Sequence, residues 1–333
     1  MAKQILMLLL VMALAGGNRA GEGTIEQVMP VAPVDGGMWD GEFWSPSGTK
    51  IVFFSGGQLT ICDTLGRSRS VAKVNLLPRG LVWSSEDELL VYLRDYGNGD
   101  TVSHRLTAIN VTSGEMRVVE QYRYSKQQKS SEAQRTFRGP MKSVEGVAYY
   151  YRVNSGAQNA ILWPPNSKMQ LGQVHELRTG KDGLYLAALD ASDSSMISHK
   201  PYKPYLTLPL RLSPDRSHIM FGGTIVRLAD DRLIVLDTLS QLKPFPPGTQ
   251  GCGFGSESFS PVGPEVIFRL TCDNGHDYAL DRLGIFNYLT FQLSLLDTTL
   301  TTSAPFEPAF SPDGRRISFV ARGVLYLAVR RQL

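Results

Sequence analysis

Short stretches in which apolar and polar residues alternate organise this chain, and each runs into a tight polar turn. Alternation with a period of two predicts β-strands with one buried face. Five blocks share an apolar run, a turn related to Ser-Pro-x-Gly and an alternating strand. The blocks are Phe43–Phe54, Leu81–Leu93, Leu210–Phe221, Ser258–Leu270 and Ala309–Val320. Because proline fixes φ and Gly or Asp tolerates the following turn positions, each block predicts a β-hairpin.

A second strand-like element follows the hairpin in several units and ends in an acidic or amide residue. These end residues are Asp63, Asn110, Asp190, Asp237 and Asp297. A polar turn and a further strand come next, so a unit holds three or four strands, as a propeller blade does. The Ser-Pro-Asp-Gly hairpin with its following strand resembles the repeats of the TolB-like, WD-like (Tol-type) propeller family. The resemblance covers nearly all of the chain after its N-terminal segment and implies an all-β propeller fold.

The number of blades is open between six and seven. The turn serines Ser45, Ser84, Ser213, Ser260 and Ser311 are 39, 129, 47 and 51 residues apart. The long gap must contain further blades, and the segments Lys142–Arg152 and Leu162–Leu171 each resemble a degenerate hairpin. The spacing favours seven blades, whereas the resemblance to TolB favours six.

The two ends of the chain predict how the ring closes. The last unit supplies three strands, and Thr24–Ala32 is a strand-like segment outside any unit. Pairing this segment with the last unit would complete a blade and remove two open sheet edges. We therefore expect the N-terminal strand to close the last blade.

The first residues have the pattern of a secretory signal peptide. A basic residue, Lys3, precedes the apolar run Ile5–Ala15, and small residues follow, with cleavage expected after Ala15 or Ala20. A run of about eleven apolar residues is too short for a membrane core that needs about twenty. We expect a signal peptide over 1–20, one propeller domain over 21–333, no stable membrane insertion, and a periplasmic or secreted protein.

The composition and net charge of the chain say little about its function. Hydrophobic residues make up 42% and charged residues 20% of the chain, which is ordinary for a folded protein. The formal net charge is +3, and removal of Lys3 and Arg19 with the signal peptide lowers it by two, to +1. This charge is too small to indicate nucleic-acid binding. We expect a monomer.

Motifs of known enzymes and cofactor sites are not found in the sequence. There is no Gly-x-Ser-x-Gly motif, and HELRT at His175 lacks the second histidine of a zinc-binding helix. The acidic segment Cys272–Asp281 lacks the late glutamate of a calcium loop, so we interpret it as an insertion between strands. We predict no metal and no cofactor. The histidines His104, His175, His199 and His218 are scattered, and we expect them at the surface.

Two of the three cysteines flank one predicted hairpin. Counting outward from the turn between Ser260 and Glu265 places Cys252 opposite about position 273, within one residue of Cys272. In an oxidising compartment these two could form a cross-strand disulfide, provided that their Cα atoms lie within roughly 7 Å. Cys62 would then remain single.

Two basic stretches are the candidate partner-binding segments. Their residues are Arg123, Lys126, Lys129, Arg135 and Arg138 in the first stretch, and Lys200, Tyr202, Lys203 and Tyr205 in the second. Exposed cations of this kind contact acidic partners or anionic polymers, but solvated loops have the same composition. Both interpretations stay open.

Together these features predict a non-catalytic binding or scaffold protein of the cell envelope that docks a protein or glycan. The alternative is a propeller enzyme, such as a polysaccharide lyase or hydrolase, with its site at the channel mouth. A cluster of His, Asp or Arg side chains at the channel would favour the enzyme.

Overall fold

The computed structural model describes eleven segments of the chain. They are residues 25–34, 43–74, 77–95, 100–125, 135–154, 157–199, 211–221, 223–235, 251–273, 278–296 and 306–331. These residues form seven antiparallel sheets arranged in a ring, which is a seven-bladed β-propeller. The choice between six and seven blades is therefore decided in favour of seven.

The first four blades follow one another along the chain. Blade 1 contains β2 (Lys50–Ser55), β3 (Gln58–Asp63) and β4 (Ser68–Lys73). Blade 2 contains β5 (Leu77–Trp83), β6 (Glu88–Asp95), β7 (Thr101–Asn110) and β8 (Met116–Ser125). Blade 3 contains β9 (Arg135–Lys142), β10 (Ala148–Asn154) and β11 (Ala157–Trp163). Blade 4 contains β12 (His175–Thr179), β13 (Leu184–Ala188) and β14 (Ser194–Ser198).

The remaining blades each have four strands. Blade 5 contains β15 (Arg211–Leu212), β16 (His218–Phe221), β17 (Thr224–Arg227) and β18 (Arg232–Val235). Blade 6 contains β19 (Gly251–Phe259), β20 (Glu265–Asp273), β21 (Tyr278–Asn287) and β22 (Gln292–Leu295). Blade 7 contains β23 (Phe306–Phe310), β24 (Arg316–Ala321), β25 (Val324–Arg330) and β1 (Ile25–Pro33).

The N-terminal strand closes the ring, as the sequence predicts. β1 pairs antiparallel with β25, from Ile25 opposite Arg330 to Pro33 opposite Val324. Blade 7 therefore has the order β1-β25-β24-β23 and combines the two ends of the described chain. The added strand covers an edge of β25 that would otherwise be open.

The hydrophobic core is divided among the boundaries between blades. Within the described residues, each of the seven boundaries has its own cluster of buried apolar side chains. The cluster between blades 7 and 1 contains Ile51 and Phe53 from one blade and Leu325 and Leu327 from the other. Each blade thus buries both of its faces, as the rows of alternating apolar residues require.

The recurring serine of the hairpins has a structural task. In four hairpins a buried serine hydroxyl oxygen accepts a hydrogen bond from the backbone N–H at, or one residue before, the start of the second strand. The N–H of His218 donates to Ser213 at 2.9 Å. The serines in this position are Ser45, Ser143, Ser213 and Ser311. Because this bond satisfies a buried backbone donor, the repeat in the sequence reflects folding.

The long gap between turn serines contains blades 3 and 4. The segment Lys142–Arg152 contains the turn between β9 and β10, so it is a hairpin as predicted. The segment Leu162–Leu171 is not a hairpin, because it ends β11 and runs through a turn into the 3-10 helix Leu171–Gln173. The fourth blade lies after this segment, and its first hairpin joins β12 to β13.

Candidate binding cleft

The structure separates the residues that the sequence grouped as basic binding segments. Arg123 is exposed on β8 of blade 2, whereas Arg135 begins β9 of blade 3 and Arg138 is exposed further along the same strand. The other candidates, Lys126, Lys129, Lys200, Tyr202, Lys203 and Tyr205, lie outside the described residues. Of the three described cations, Arg138 lines a cleft.

The cleft lies between blades 3 and 4 and has a volume of about 630 Å³. This volume falls within the roughly 300–1,000 Å³ of typical small-ligand sites. Besides Arg138, its walls comprise Met141, Tyr151, Gln158, Asn159, Ala160, Leu171, Glu176, Arg178, Leu189, Asp190 and Ala191. It therefore combines apolar side chains with two guanidinium groups, two amides and two carboxylates.

The alternation of β10 positions the tyrosines of this cleft. Successive side chains of a strand point to opposite faces. Tyr149 and Tyr151 therefore share one face of blade 3, and both contact Glu176 of blade 4. Tyr150 points to the other face and packs against blade 2. A run of three tyrosines thus supplies polar contacts to both neighbouring blades.

Glu176 is the centre of the hydrogen-bond network in the cleft. Its carboxylate accepts hydrogen bonds from the hydroxyls of Tyr149, at 2.7 Å, and Tyr151. The Arg178 Nε donates to the same carboxylate at 2.6 Å, and the Arg178 Nη2 donates to the Tyr151 hydroxyl oxygen at 3.1 Å. Three donors from two blades therefore hold this carboxylate.

The tyrosines of the network keep their protons at neutral pH. Burial, followed by the hydrogen bond to Glu176, raises the pKa of Tyr151 to about 12. The same causes raise the pKa of Tyr149. Both phenols therefore act as hydrogen-bond donors rather than as bases.

The two arginines of the cleft are in different states. Arg178 is held by Glu176 and Tyr151. Arg138 is exposed, and no hydrogen-bond or ion-pair partner faces its guanidinium among the residues that the structure describes. Arg138 is thus available to an incoming anion, whereas Arg178 shapes the wall.

A related network lies on the opposite face of β10, between blades 2 and 3. Glu120 accepts hydrogen bonds from the Tyr150 hydroxyl at 3.2 Å, from the Arg152 Nε at 3.0 Å and from the Tyr122 hydroxyl at 3.4 Å. Glu120 is mostly covered, with 14% of its side chain exposed. This network therefore joins blades and offers little room to a ligand.

The expectation that the histidines lie at the surface is wrong for two of them. His104 and His218 are buried. The Nδ1 of His104 is hydrogen-bonded to the hydroxyl of Tyr92, and its Nε2 to that of Tyr124 at 3.1 Å. Burial, with a smaller contribution from the Arg94 cation, lowers the pKa of His104 to about 4. His104 is therefore a neutral residue of the interior of blade 2.

The other histidines do not converge either. The His218 ring packs 4.5 Å from that of Tyr288. His175 is partly buried, and its Nδ1 lies 3.1 Å from a Glu145 oxygen. His199 is exposed as predicted. None of these histidines lines the cleft.

The two hairpin cysteines lie opposite each other. β19 and β20 pair with Cys252 directly across from Cys272. Cys272 is disulfide-bonded and Cys62 is a free, buried cysteine. The identity of the partner as Cys252 stays a prediction, which the register supports.

Two other features of the described residues concern metal and membrane binding. No three His, Cys, Asp or Glu side chains within them lie close enough together to hold a metal ion. The interpretation of the acidic segment as an insertion is wrong for its ends, because Cys272 and Asp273 end β20 and Tyr278–Asp281 begin β21, while residues 274–277 lie outside the described part. Nor does the described part contain a helix with the length and apolar character needed to cross a membrane.

Comparisons with known proteins support the fold. A chain from the structure titled "Crystal Structure of Mitotic Checkpoint Complex" superposes with a TM-score of 0.50 at 14% identity, over 95% of this chain and 99% of that chain. The fold is a seven-bladed β-propeller. A second structure, "Oligogalacturonate lyase in complex with manganese", gives a TM-score of 0.36 at 14% identity over 87% and 76% of the chains, too low to support an argument.

The comparisons do not establish a family. No protein-family model matches the chain, and no curated protein does. The similarity to solved structures therefore supports the propeller fold alone, and membership of the TolB-like family stays a prediction.

Sequence reasoning missed most of the cleft. Glu176 and Arg178 lie in HELRT, which resembles an incomplete zinc motif, and Tyr151 lies in an ordinary strand pattern. The available signal was the run of three tyrosines and an arginine in β10. Such a run on alternating faces predicts polar contacts with both neighbouring blades.

Proposed function

We propose that this chain is an exported, non-catalytic β-propeller module of the cell envelope that docks a protein or glycan partner in the cleft between blades 3 and 4. The observation that carries the proposal is the exposed Arg138, whose guanidinium has no partner among the described residues, beside a polar wall. Strands of two packed blades hold this wall, so the site is preorganised for binding.

The chemistry of the cleft favours binding over catalysis. A general base must be free to accept a proton near neutral pH. Glu176 already accepts from three donors, and the pKa values of Tyr149 and Tyr151 are raised. The cleft is therefore suited to hydrogen bonding and ion pairing. The enzyme alternative predicts that the protein converts a polysaccharide into new reducing or unsaturated ends, and an assay for these products tests it.

Export and the TolB-like character belong to the same proposal. The N-terminal apolar run and the Ser-Pro-Asp-Gly hairpins support them. We expect the mature protein to begin near Gly16 or Gly21 and to be recovered from the periplasm or the medium. N-terminal sequencing measures this, and an intact Met1 in a membrane fraction would contradict it.

Capture of partners from envelope extracts tests the docking function. A variant with Lys126, Lys129, Arg135 and Arg138 replaced by Ser should capture less of an acidic partner than the wild type at low salt. The difference should shrink at high salt, where exposed charges are screened. Equal capture by both proteins at low salt would contradict docking through these cations, and a large fall in melting temperature would show that they stabilise the fold instead.

A further inference from the structure

We propose that the cleft seats an extended acidic peptide segment of a partner protein, which pairs with the exposed start of β11 and places a carboxylate on Arg138. The inference rests on the proposed docking function and specifies its ligand. It combines a sheet edge that no described strand covers with a cation that has no partner in the described part of the chain.

The open edge belongs to blade 3. Its sheet has the order β11-β10-β9, so no described strand pairs with the outer side of β11. Blades 2, 5, 6 and 7 each have a fourth strand, and in blade 7 this strand comes from the distant N-terminal end of the described chain. The architecture therefore accepts a strand from elsewhere at the edge of a blade, as peptide recognition by strand addition does.

The accessible part of this edge is short. Ala157, Gln158 and Asn159 at the start of β11 are exposed. Further along, Ala160 is buried, and Leu162 packs in the same apolar cluster as Met169 and Leu171 of the segment that follows β11. A ladder needs accessible N–H and C=O groups on both chains. A bound segment would therefore pair with about three residues, the exposed ones at the start of β11.

The exposed half of β11 lies at the cleft that contains the cation. Gln158 and Asn159 line the same cleft as Arg138. In the register of blade 3, Tyr151 pairs with both Arg138 and Ala160, so β10 and β11 separate Arg138 from a segment added at the edge, three strand spacings or roughly 14 Å away. A guanidinium binds a carboxylate through two parallel hydrogen bonds. The longer side chain of Glu, directed into the cleft toward an extended Arg138, is therefore the complementary one, whereas Asp is too short.

A polypeptide fits these observations better than a glycan. The edge of β11 offers the backbone donors and acceptors of a ladder, which a sugar chain cannot continue. The amide of Gln158 would bind either ligand and does not discriminate. The open edge of β11 therefore favours a peptide as the ligand. The experiment below also tests an acidic glycan.

Fluorescence anisotropy with defined peptides tests the inference. The probe is a labelled octapeptide of alternating Thr and Glu, and its counterpart has Gln in place of Glu. Two further Glu peptides carry N-methyl groups at alternate residues, one peptide at the odd positions and the other at the even positions. Each methylation pattern removes the backbone N–H donors along one edge of the extended peptide. The proteins are the wild type, Arg138→Gln and the control Arg211→Gln, which removes an exposed arginine of blade 5. An oligosaccharide of glucuronate units is the glycan arm.

We expect the Glu peptide to bind the wild type, and Arg138→Gln to weaken it about tenfold, as loss of a charge-assisted pair does. Arg211→Gln should bind like the wild type, and one N-methylated peptide should lose binding. Equal binding of the Gln peptide, full binding of both N-methylated peptides, or binding of the oligosaccharide alone would overturn the inference.

The outcome also separates this inference from the proposed function. If no peptide binds but the wild type captures an envelope partner that Arg138→Gln does not, the peptide inference fails and the docking function stands. If the wild type captures no partner and binds no probe, both fail. Melting temperatures of both variants within about 2 °C of the wild type, as expected for exposed substitutions, would confirm that the comparison concerns binding.

Discussion

Tyr149 of blade 3 donates a hydrogen bond of 2.7 Å to Glu176 of blade 4. The contact crosses a boundary that is otherwise held by an apolar cluster containing Tyr149, Val174 and Leu189. Glu176 also accepts from Tyr151 and Arg178. A single carboxylate therefore links two blades and fixes the wall of the proposed binding cleft.

Replacing Glu176 by Ala should destabilise the protein. The change leaves two tyrosine hydroxyls and the Arg178 cation without their acceptor, which costs about 2–4 kcal/mol of unfolding free energy. Urea unfolding followed by fluorescence measures the effect. Glu115→Ala, at an exposed position, is the control and should change stability by less than about 0.5 kcal/mol. Equal stability of the two variants would show that the network does not stabilise the fold.

Acidification should weaken the fold through His104. Burial, then the nearby Arg94 cation, lowers the pKa of His104 from 6.5 to about 4. Because the folded-state pKa is the lower one, the stabilisation is complete above pH 6.5 and is lost as the pH falls toward 4. The shift corresponds to roughly 3 kcal/mol.

Unfolding free energies at pH 7 and pH 4 measure this contribution. His104→Gln retains hydrogen-bonding groups but does not titrate, so its stability should fall by less than that of the wild type over this interval. His199→Gln, at an exposed position, should behave like the wild type. An identical loss in all three proteins would assign the acid sensitivity to other groups.

Deleting Thr24–Ala32 should destabilise the whole ring rather than loosen one end. The deletion removes nearly all of β1, which pairs with β25 and packs against the clusters on both faces of blade 7. We expect a lower melting temperature and aggregation through the uncovered edge. Thermal melts with light scattering measure both, and a melting curve like that of the full chain would indicate another closure.

The pair Cys252 and Cys272 should resist alkylation without reductant. Peptide mapping under denaturing, non-reducing conditions should find these two linked and Cys62 labelled. Cys272→Ser should lower stability by about 2–4 kcal/mol, because a cross-link between β19 and β20 restricts the unfolded chain. Recovery of a labelled Cys252 peptide from the wild type would contradict the pairing.

Local chemistry was enough to predict the repeated hairpins, the all-β class and the closing strand. Pro and Gly fix the turn angles, and alternation fixes which side chains of a strand share a face. The turn serines were visible for the same reason, since Ser213 bonds to the backbone of His218 only five positions away. The pairing of Cys252 with a position within one residue of Cys272 could also be predicted, because the register of one hairpin follows from counting outward from its turn.

Tertiary structure alone decided the number of blades and the position of the cleft. Blade 4 lacks the serine turn, so the repeat pattern does not reveal it. It is recognised from its packing against blades 3 and 5. His104 is buried because blade 2 packs against Phe137 of blade 3, which a local pattern does not reveal. Arg138, Tyr151 and Glu176 belong to separate strands in two blades. Whether these three side chains come close together depends on how the sheets of the two blades pack. No single stretch of sequence specifies that packing.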